Sequence, residues 1–439
     1  MSPFVHRREF FGGLLYDRHS KEYIYLDKLA NRLLTRPDSP LSPEEYVQFK
    51  TDADEVSEIR TSMCIEGLLS SNIQFVNNAV PAASLSAPLR IFYEITERCP
   101  ESCEHCYTNS DKKDPNELTL SQKLELIDQM TEMGCYRISI AGGEPLVDRD
   151  FFPLVEYALA RGVDVSFSTN ATLVTDKNAE RLASLDIRTI NVSLDGWDDE
   201  SFGAVRGRGR LKYVIRGLER LRSIYRGKVA AKCTILKTNV QSLEKVIQSA
   251  ELLGFDSVKF NCVREAGRAN GKEWLLPTPE EYISAMKGLA EICNAKKYKI
   301  KITLPLNPYE HRSGHASQYI EELGFGCYAG KESFCVTAVG EIQPCSSFGR
   351  GVYSDGHFPS VSLRSAWDNG QAMQLFRSMD GSTDCKGCGS YSGCKGGCYL
   401  RSYAATGSIE TTDPYCYEGY GVGSYPNRTL RIVVDNSST

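Results

Sequence analysis

The chain has 439 residues, 51 basic and 56 acidic side chains and a formal charge of −5, a balance that excludes a generally basic nucleic-acid-binding surface and one that clings to anionic membranes. It opens without an apolar h-region and contains no apolar run of about eighteen residues, so a cytoplasmic protein with no membrane and no nucleic-acid partner is expected. Sixteen cysteines in such a chain point to metal or cluster ligation rather than to disulfides.

The length predicts two or three domains. Residues 1–80 read as a small α+β, winged-helix-like unit. Strands are expected over 10–16 and 22–26, joined by the polar turn 17–21, and helical spacing follows over 26–34, 42–50 and 54–69. A hairpin followed by about three helices resembles the peptide-recognition domain found in or beside enzymes that modify ribosomally made peptides, where a leader peptide adds a strand to the sheet edge. A capping subdomain with no ligand is the other reading. Residues 77–88, NNAVPAASLSAP, have the small, polar, proline-bearing composition of a linker.

From 89 to about 270 strands and amphipathic helices alternate. Strands are predicted at 89–95, 136–140, 163–168, 189–194, 229–236 and 258–262, with helices at 121–133, 151–160, 177–183, 213–225 and 243–253 between them. Such alternation predicts an α/β protein with parallel strands, a partial (β/α)6 TIM-like barrel over 89–295, and chemistry in the loops at the C-terminal strand ends. The residues beyond 262, REAGRA, read either as a sixth-strand loop bearing Gly267 and Arg268 near a ligand or as a helix-start turn, and a helix is expected over 280–293.

The candidate site residues fall in those loops. After the first strand comes ERCPESCEHCYTN, in which Cys99, Cys103 and Cys106 form a CxxxCxxC array. Three thiolates this close can share one metal centre, and a 4Fe-4S cluster held by three cysteines keeps one iron open for a small ligand. After the second strand, SIAGGEPL presents Gly142, Gly143, Glu144 and Pro145, where exposed backbone and a carboxylate can hold an ammonium group. Ser168, Thr169 and Asn170 end the third strand, Ser193 and Asp195 end the fourth, and Arg206 can clamp a carboxylate.

This combination resembles the radical S-adenosylmethionine superfamily over about 89–267. The resemblance implies that Cys99, Cys103 and Cys106 hold a 4Fe-4S cluster whose open iron chelates the methionine end of S-adenosylmethionine. It further implies that Gly142, Gly143, Glu144 and Pro145 contact the amino group, that Ser168, Asn170 and Ser193 contact ribose or carboxylate, and that Arg206 binds the carboxylate. His105 stands where the family usually has an aromatic residue beside the adenine.

A second array begins at Cys327. Its spacing is Cx12Gx4C, a gap, CxxCx5CxxxC, a gap and C, with Cys335 lying inside the first segment. This resembles the SPASM domain, here over 296–439, which implies two auxiliary 4Fe-4S clusters. Cys327, Cys335, Cys345 and Cys398 would hold the first, and Cys385, Cys388, Cys394 and Cys416 the second. Four-thiolate clusters leave no open iron and suit electron transfer. A pair of zinc sites is the alternative, since CxxC pairs also serve tetrahedral zinc. Cys64, Cys135, Cys233, Cys262 and Cys293 remain; most of them lie in apolar runs and are expected to be inert core thiols.

Enzymes of this kind mostly modify peptides, so the resemblance implies a maturase of a ribosomally synthesised precursor peptide, an external one-electron reductant and, as a further partner, a small leader-recognition protein. The opening HRREFFGGLLYD is similar to the nif11-class maturases, which include spliceases that excise a tyramine unit and leave an α-keto-β-amino acid. A thioether or carbon-carbon crosslink is the competing reaction. The alternatives are an anaerobic sulfatase-type, formylglycine-forming maturase and a non-enzymatic iron-sulfur electron carrier.

Overall fold

A computed structural model describes residues 1–304, 327–389 and 391–416. Two stretches of the expected SPASM segment, 305–326 and 417–439, lie outside the described residues.

The N-terminal unit contains β1 (Phe4–Glu9), β2 (Gly12–Asp17), β3 (Glu22–Asp27), α1 (Lys28–Thr35), α2 (Pro43–Phe49), α3 (Ala53–Ile65) and β4 (Ile73–Val76). Its sheet runs β3-β2-β1-β4, with β4 parallel to β1. The expected hairpin exists as β2 and β3. The strand expected over 10–16 begins later, because Phe10 and Phe11 form the turn from β1, a strand that alternation does not reveal. Its sequence, FVHRRE, reads as surface, yet His6, Arg7 and Glu9 are all buried. Arg7 Nε pairs with Glu9 Oε1 at 2.7 Å, Arg7 Nη1 donates to the carbonyls of Pro88 and Gly134, and Glu9 accepts from the amide and hydroxyl of Ser86. Buried charge survives when it is paired and hydrogen-bonded.

The barrel follows as β5 (Arg90–Glu94), α4 (Leu120–Glu132), β6 (Arg137–Ala141), α5 (Phe151–Ala160), β7 (Asp164–Thr169), α6 (Asp176–Ala183), β8 (Thr189–Ser193), α7 (Asp199–Arg206), α8 (Leu211–Ile224), β9 (Val229–Ile235), α9 (Leu243–Leu252), β10 (Ser257–Cys262), α10 (Pro279–Asn294) and β11 (Lys301–Thr303). All six expected strands are present and parallel. The sheet continues past both expected edges: β11 joins β10, and β12 (Ser333–Val336) with β13 (Ile342–Gln343) joins β5. Helix α7 was not expected and carries Arg206 in its last turn.

Strand alternation divides the sheet's two faces. Ile138, Ile140, Val165, Phe167, Ile190, Val192, Val258 and Phe260 are buried under the helices. On the other face Ser139, Ser166, Ser168, Asn191, Ser193, Lys232, Thr234, Lys259 and Asn261 are only partly covered. A closed TIM barrel fills its lumen with branched apolar side chains; this lumen is polar and accessible.

The N-terminal sheet closes the end where the barrel strands begin. Tyr16 stacks on Tyr136 with centroids 5.1 Å apart, the Tyr23 hydroxyl donates to the Leu89 carbonyl, and Glu22 pairs with both Arg137 and Arg188. Val5, Phe11, Leu14 and Tyr16 belong to the same apolar cluster as the barrel core. The linker expectation for 77–88 fails at its second half. Leu85, Ser86 and Ala87 have no exposed surface, and the Trp367 indole donates to the Leu85 carbonyl at 3.0 Å. The segment is small because it is packed between the two units.

Because Arg7 is the charge partner of a buried Glu9, Arg7→Ala should cost about 3–5 kcal/mol, measured as a lower urea midpoint of unfolding at unchanged slope.

Candidate active site

The cysteine loop leaves β5 at the open end of the barrel and is braced from three sides. The Glu117 carboxylate accepts the Thr96 hydroxyl and the Glu97 amide, the latter at 2.7 Å. Arg268, in the loop after β10, donates to the carbonyls of Cys103 and Ser110 at 2.9 and 2.7 Å, and its amide donates to the Cys106 carbonyl. Gly267 has φ +57, and a Cβ there would lie 2.6 Å from the Cys106 carbonyl oxygen. Both readings of REAGRA describe it in part: it forms the loop after β10, it contains a short 3-10 turn, Gly267–Ala269, and it packs on the cysteine loop.

Burial pushes the Cys99 thiol up to about 12, and Glu144, Cys103 and Cys106 add to the shift. Burial also raises Cys103, against the pull of Arg206. Thiols that oppose one another's ionisation in a buried loop suit a cationic iron group, which favours their thiolate forms. Among the described residues no three His, Cys, Asp or Glu side chains are grouped to hold a single metal ion.

The GGEP turn lies backbone to backbone on the strand exit. The Gly143 amide donates to the Thr96 carbonyl at 2.7 Å and the Glu144 amide to that of Arg98 at 2.9 Å. Gly142 has φ +118, and a Cβ on Gly142 or Gly143 would sit 2.4 or 2.2 Å from those same carbonyl oxygens. The glycines therefore serve close approach of two loops as well as any ligand. Glu144 is fully buried and accepts the Thr169 hydroxyl and the Asn170 amide, each at 2.7 Å. Its carboxylate joins the second loop to the third. Pro145 starts a short 3-10 turn, Pro145–Val147. Ser168 and Ser193 stand half-buried on the lumen face, and the Asn170 side-chain oxygen accepts from Thr172.

Arg206 reaches the site from α7. Its Nε is bonded to Asp195 Oδ2, and its Nη1 donates to Cys103 Sγ at 3.6 Å. His105 Nε2 lies 3.2 Å from the same Asp195 oxygen, so the imidazole is turned to Asp195. Asp195 Oδ1 accepts the Thr234 amide at 2.6 Å. Burial alone would raise the Asp195 carboxyl, but Arg206 and His105 beside it hold it well below the usual carboxylate range. The Asp195 carboxylate thus organises three partners, a role its place at a strand end does not reveal.

The second array separates into two neighbourhoods. Burial raises Cys327, and Cys398 and Cys345 add to it; Cys335, fully buried on β12, is raised by burial with Glu94 and Cys345 adding. Cys394 is pushed up to about 11 by burial, with Cys416 and Cys385 adding, and the Cys388 amide donates to the Cys385 carbonyl. Two of the five remaining thiols differ from the inert core expectation. Cys64 is exposed, and Cys262 Sγ lies 2.8 Å from the Tyr282 hydroxyl and 2.6 Å from Arg401 Nη1.

Burial holds Glu144 at about 7, above its ordinary 4.5, against the donors that surround it. The folded protein then binds this proton more tightly than the unfolded chain. The stability it contributes is present below the ordinary value and is lost as pH rises through about 7. Glu94, also held at about 7 by burial, acts in the same direction. Glu144→Gln should therefore flatten the fall in unfolding free energy across this window, followed by urea titrations at stepped pH.

Residues 93–253 match the Radical SAM superfamily. The chain is 32% identical over 347 residues to mycofactocin maturase MftC of Mycolicibacterium smegmatis, across 77% of this chain and 84% of that relative. In fold it is similar to Streptococcus suis SuiB bound to precursor peptide SuiA, with a TM-score of 0.71 at 19% identity, over 94% of this chain and 97% of the other. It is also similar to anSMEcpe with bound AdoMet, with a TM-score of 0.62 at 18% identity, over 76% of this chain and 96% of the other. A loop of three thiols at the open end of a parallel barrel, packed against a GGE turn, fits these relations, and the chain belongs to the radical SAM superfamily, whose enzymes work with a 4Fe-4S cluster and S-adenosylmethionine.

Proposed function

We propose that this chain is a radical S-adenosylmethionine maturase of a ribosomally synthesised precursor peptide. The observation that carries the reading is the fold likeness to a peptide-bound enzyme over nearly the whole chain, joined to the sequence relation with a maturase.

In this reading Cys99, Cys103 and Cys106 hold the cluster with the open iron. The Gly142–Gly143 backbone faces the cofactor's amino group while Glu144 keeps that turn fixed to Asn170. Ser168, Asn170 and Ser193 serve ribose or carboxylate, and Arg206, oriented by Asp195, offers its remaining N–H groups to the carboxylate. Bound at this site and given an external one-electron reductant, S-adenosylmethionine would supply the chemistry of hydrogen-atom abstraction from the substrate. Cys327, Cys335, Cys345 and Cys398 form one auxiliary 4Fe-4S site, and Cys385, Cys388, Cys394 and Cys416 another. The N-terminal unit receives the leader peptide on the edge strand β3, alone or with a small leader-recognition protein. Residues 1–80 have no evident use in a formylglycine-forming maturase.

The opening HRREFFGGLLYD spans β1, its turn and β2, at the closed end of the barrel, so it supports the N-terminal unit rather than one reaction. Tyramine excision and crosslinking are told apart by product mass: loss of a tyramine unit against loss of two hydrogen atoms.

Anaerobically reconstituted protein given dithionite and S-adenosylmethionine should form 5'-deoxyadenosine. Replacing Cys99, Cys103 and Cys106 together by alanine should abolish it and leave iron at the C-terminal sites. A triple variant that still cleaves the cofactor sinks the assignment. Leader docking should slow amide hydrogen exchange along Glu22–Asp27 when a precursor peptide is added; unchanged exchange there would remove the leader role from this unit.

A further inference from the structure

The proposed roles leave several lumen-facing side chains of β9 and β10 unused, and cations outnumber carboxylates among them. Lys232 on β9 stands opposite Ser193 of β8 and Lys259 of β10, so its side chain rises from the lumen face. Lys259 Nζ donates to Asn191 Oδ1 at 3.0 Å. Among the described residues Lys232 Nζ has no hydrogen bond and no ion pair, and its side chain is only partly covered. On β10, Asn261 stands opposite Thr234, and its Nδ2 is buried with no acceptor. At the end of the same strand Arg264 lies over the Tyr107 ring at 4.6 Å and donates to Ser346 Oγ at 3.2 Å.

Two carboxylates stand nearby. Asp195 is held by Arg206, His105 and the Thr234 amide. Glu94 faces Tyr107 and Arg264, is pushed up to about 7 by burial, and keeps Oε1 buried without a hydrogen-bond partner. Burial pushes the Lys232 amine down to about 8, Arg264, Lys259 and Arg206 push it the same way, and Asp195, itself shared with Arg206 and His105, opposes them, as expected where positive charge outweighs the negative charge beside it. A neutral carbonyl could accept from the Asn261 amide but would leave that charge unanswered, whereas a carboxylate answers both.

We propose that the lumen beneath the cysteine loop is a carboxylate-binding subsite, in which Lys232, the Asn261 amide and Arg264 receive an acidic group of the substrate. The inference rests on the radical maturase reading and names the chemistry of its substrate. The other carboxylate available is the cofactor's methionine end, for which Arg206 and Ser193 are already placed; because Ser193 is the register partner of Lys232, the test must tell the two carboxylates apart.

Competitive amine labelling tests this without turnover. Cluster-loaded, full-length protein is treated with limiting acetic anhydride, and acetylation of Lys232 is compared by mass spectrometry with that of the exposed lysines. N-acetylglutamate should protect Lys232 by about threefold or more at saturation, while the uncharged N-acetylglutamine amide should not. Lys232→Met should leave S-adenosylmethionine binding within about twofold. Protection by S-adenosylmethionine alone, with none from N-acetylglutamate, would assign the subsite to the cofactor and overturn the proposal. Equal protection by acid and amide, or by neither, would overturn it as well. None of these failures touches the maturase reading, which stands or falls on 5'-deoxyadenosine formation.

Discussion

Asp195 is the buried carboxylate through which the open end of the barrel is tied together. It ends β8, takes the backbone amide of Thr234 from β9, and binds Arg206 from α7 and His105 from the cysteine loop. Its own carbonyl accepts from Asn239, beyond β9. An isolated buried carboxylate would be neutralised by its surroundings; the Arg206 guanidinium, the His105 imidazole and an amide donor favour the ionised form here. Arg206, held this way, turns an N–H toward Cys103 Sγ. The position of the candidate cluster loop is thus coupled to the ends of two neighbouring strands and one helix. Loss of any of these partners would be felt at the cysteines before it was felt in the core.

The two ends of the barrel solve different problems. At the closed end, Arg7, Glu9, Glu22, Asp164 and Arg188 are polar residues used as fasteners, in pairs covered by the N-terminal sheet. At the open end, Asp195 ties the cysteine loop to neighbouring strands. Buried polar atoms without a hydrogen-bond partner occur at both ends, among them Arg7 Nη2, Tyr16 OH and Asp164 Oδ1 at the closed end and Asn261 Nδ2, Glu94 Oε1 and His105 Nδ1 at the open end. In parallel α/β barrels the strand C-termini carry chemistry and the N-termini carry stability. The closed-end contacts limit what a deletion of residues 1–80 can mean, because removing them would uncover Tyr136 and the starts of β5 to β8 along with any leader site.

How much of this is legible in the sequence depends on how local the cause is. Strands β5 to β10 are legible because each alternates against its own helix cover, and the cysteine arrays because ligand spacing is a property of short segments. Strand β1 is hidden because its charges are buried against Ser86, Pro88 and Gly134, which lie far along the chain. Strand β12 is hidden because its partner, β5, is more than two hundred residues away. Residues 77–88 look like a linker because small residues suit a crowded passage as well as a flexible one. Glu144 and Arg206 are found as site residues by their motifs, but motif position alone does not reveal that one carboxylate joins two loops and the other side chain already has an acidic partner.

The same distinction applies to Asp413 in the C-terminal region, where the cysteines are legible and their coupling is not. Asp413 Oδ2 accepts the Cys398 amide at 2.8 Å, and its carbonyl accepts the Cys416 amide at 3.0 Å. It therefore fixes one member of each cysteine neighbourhood. Arg401 binds the same carboxylate and also reaches Cys262 Sγ at the end of β10. Charge-assisted hydrogen bonds of this kind hold geometry tightly, because both ends lose their partner if either moves. One buried ion pair therefore links a member of each C-terminal cysteine set to the last full strand of the barrel, although more than one hundred residues separate Cys262 from Cys398 in the chain.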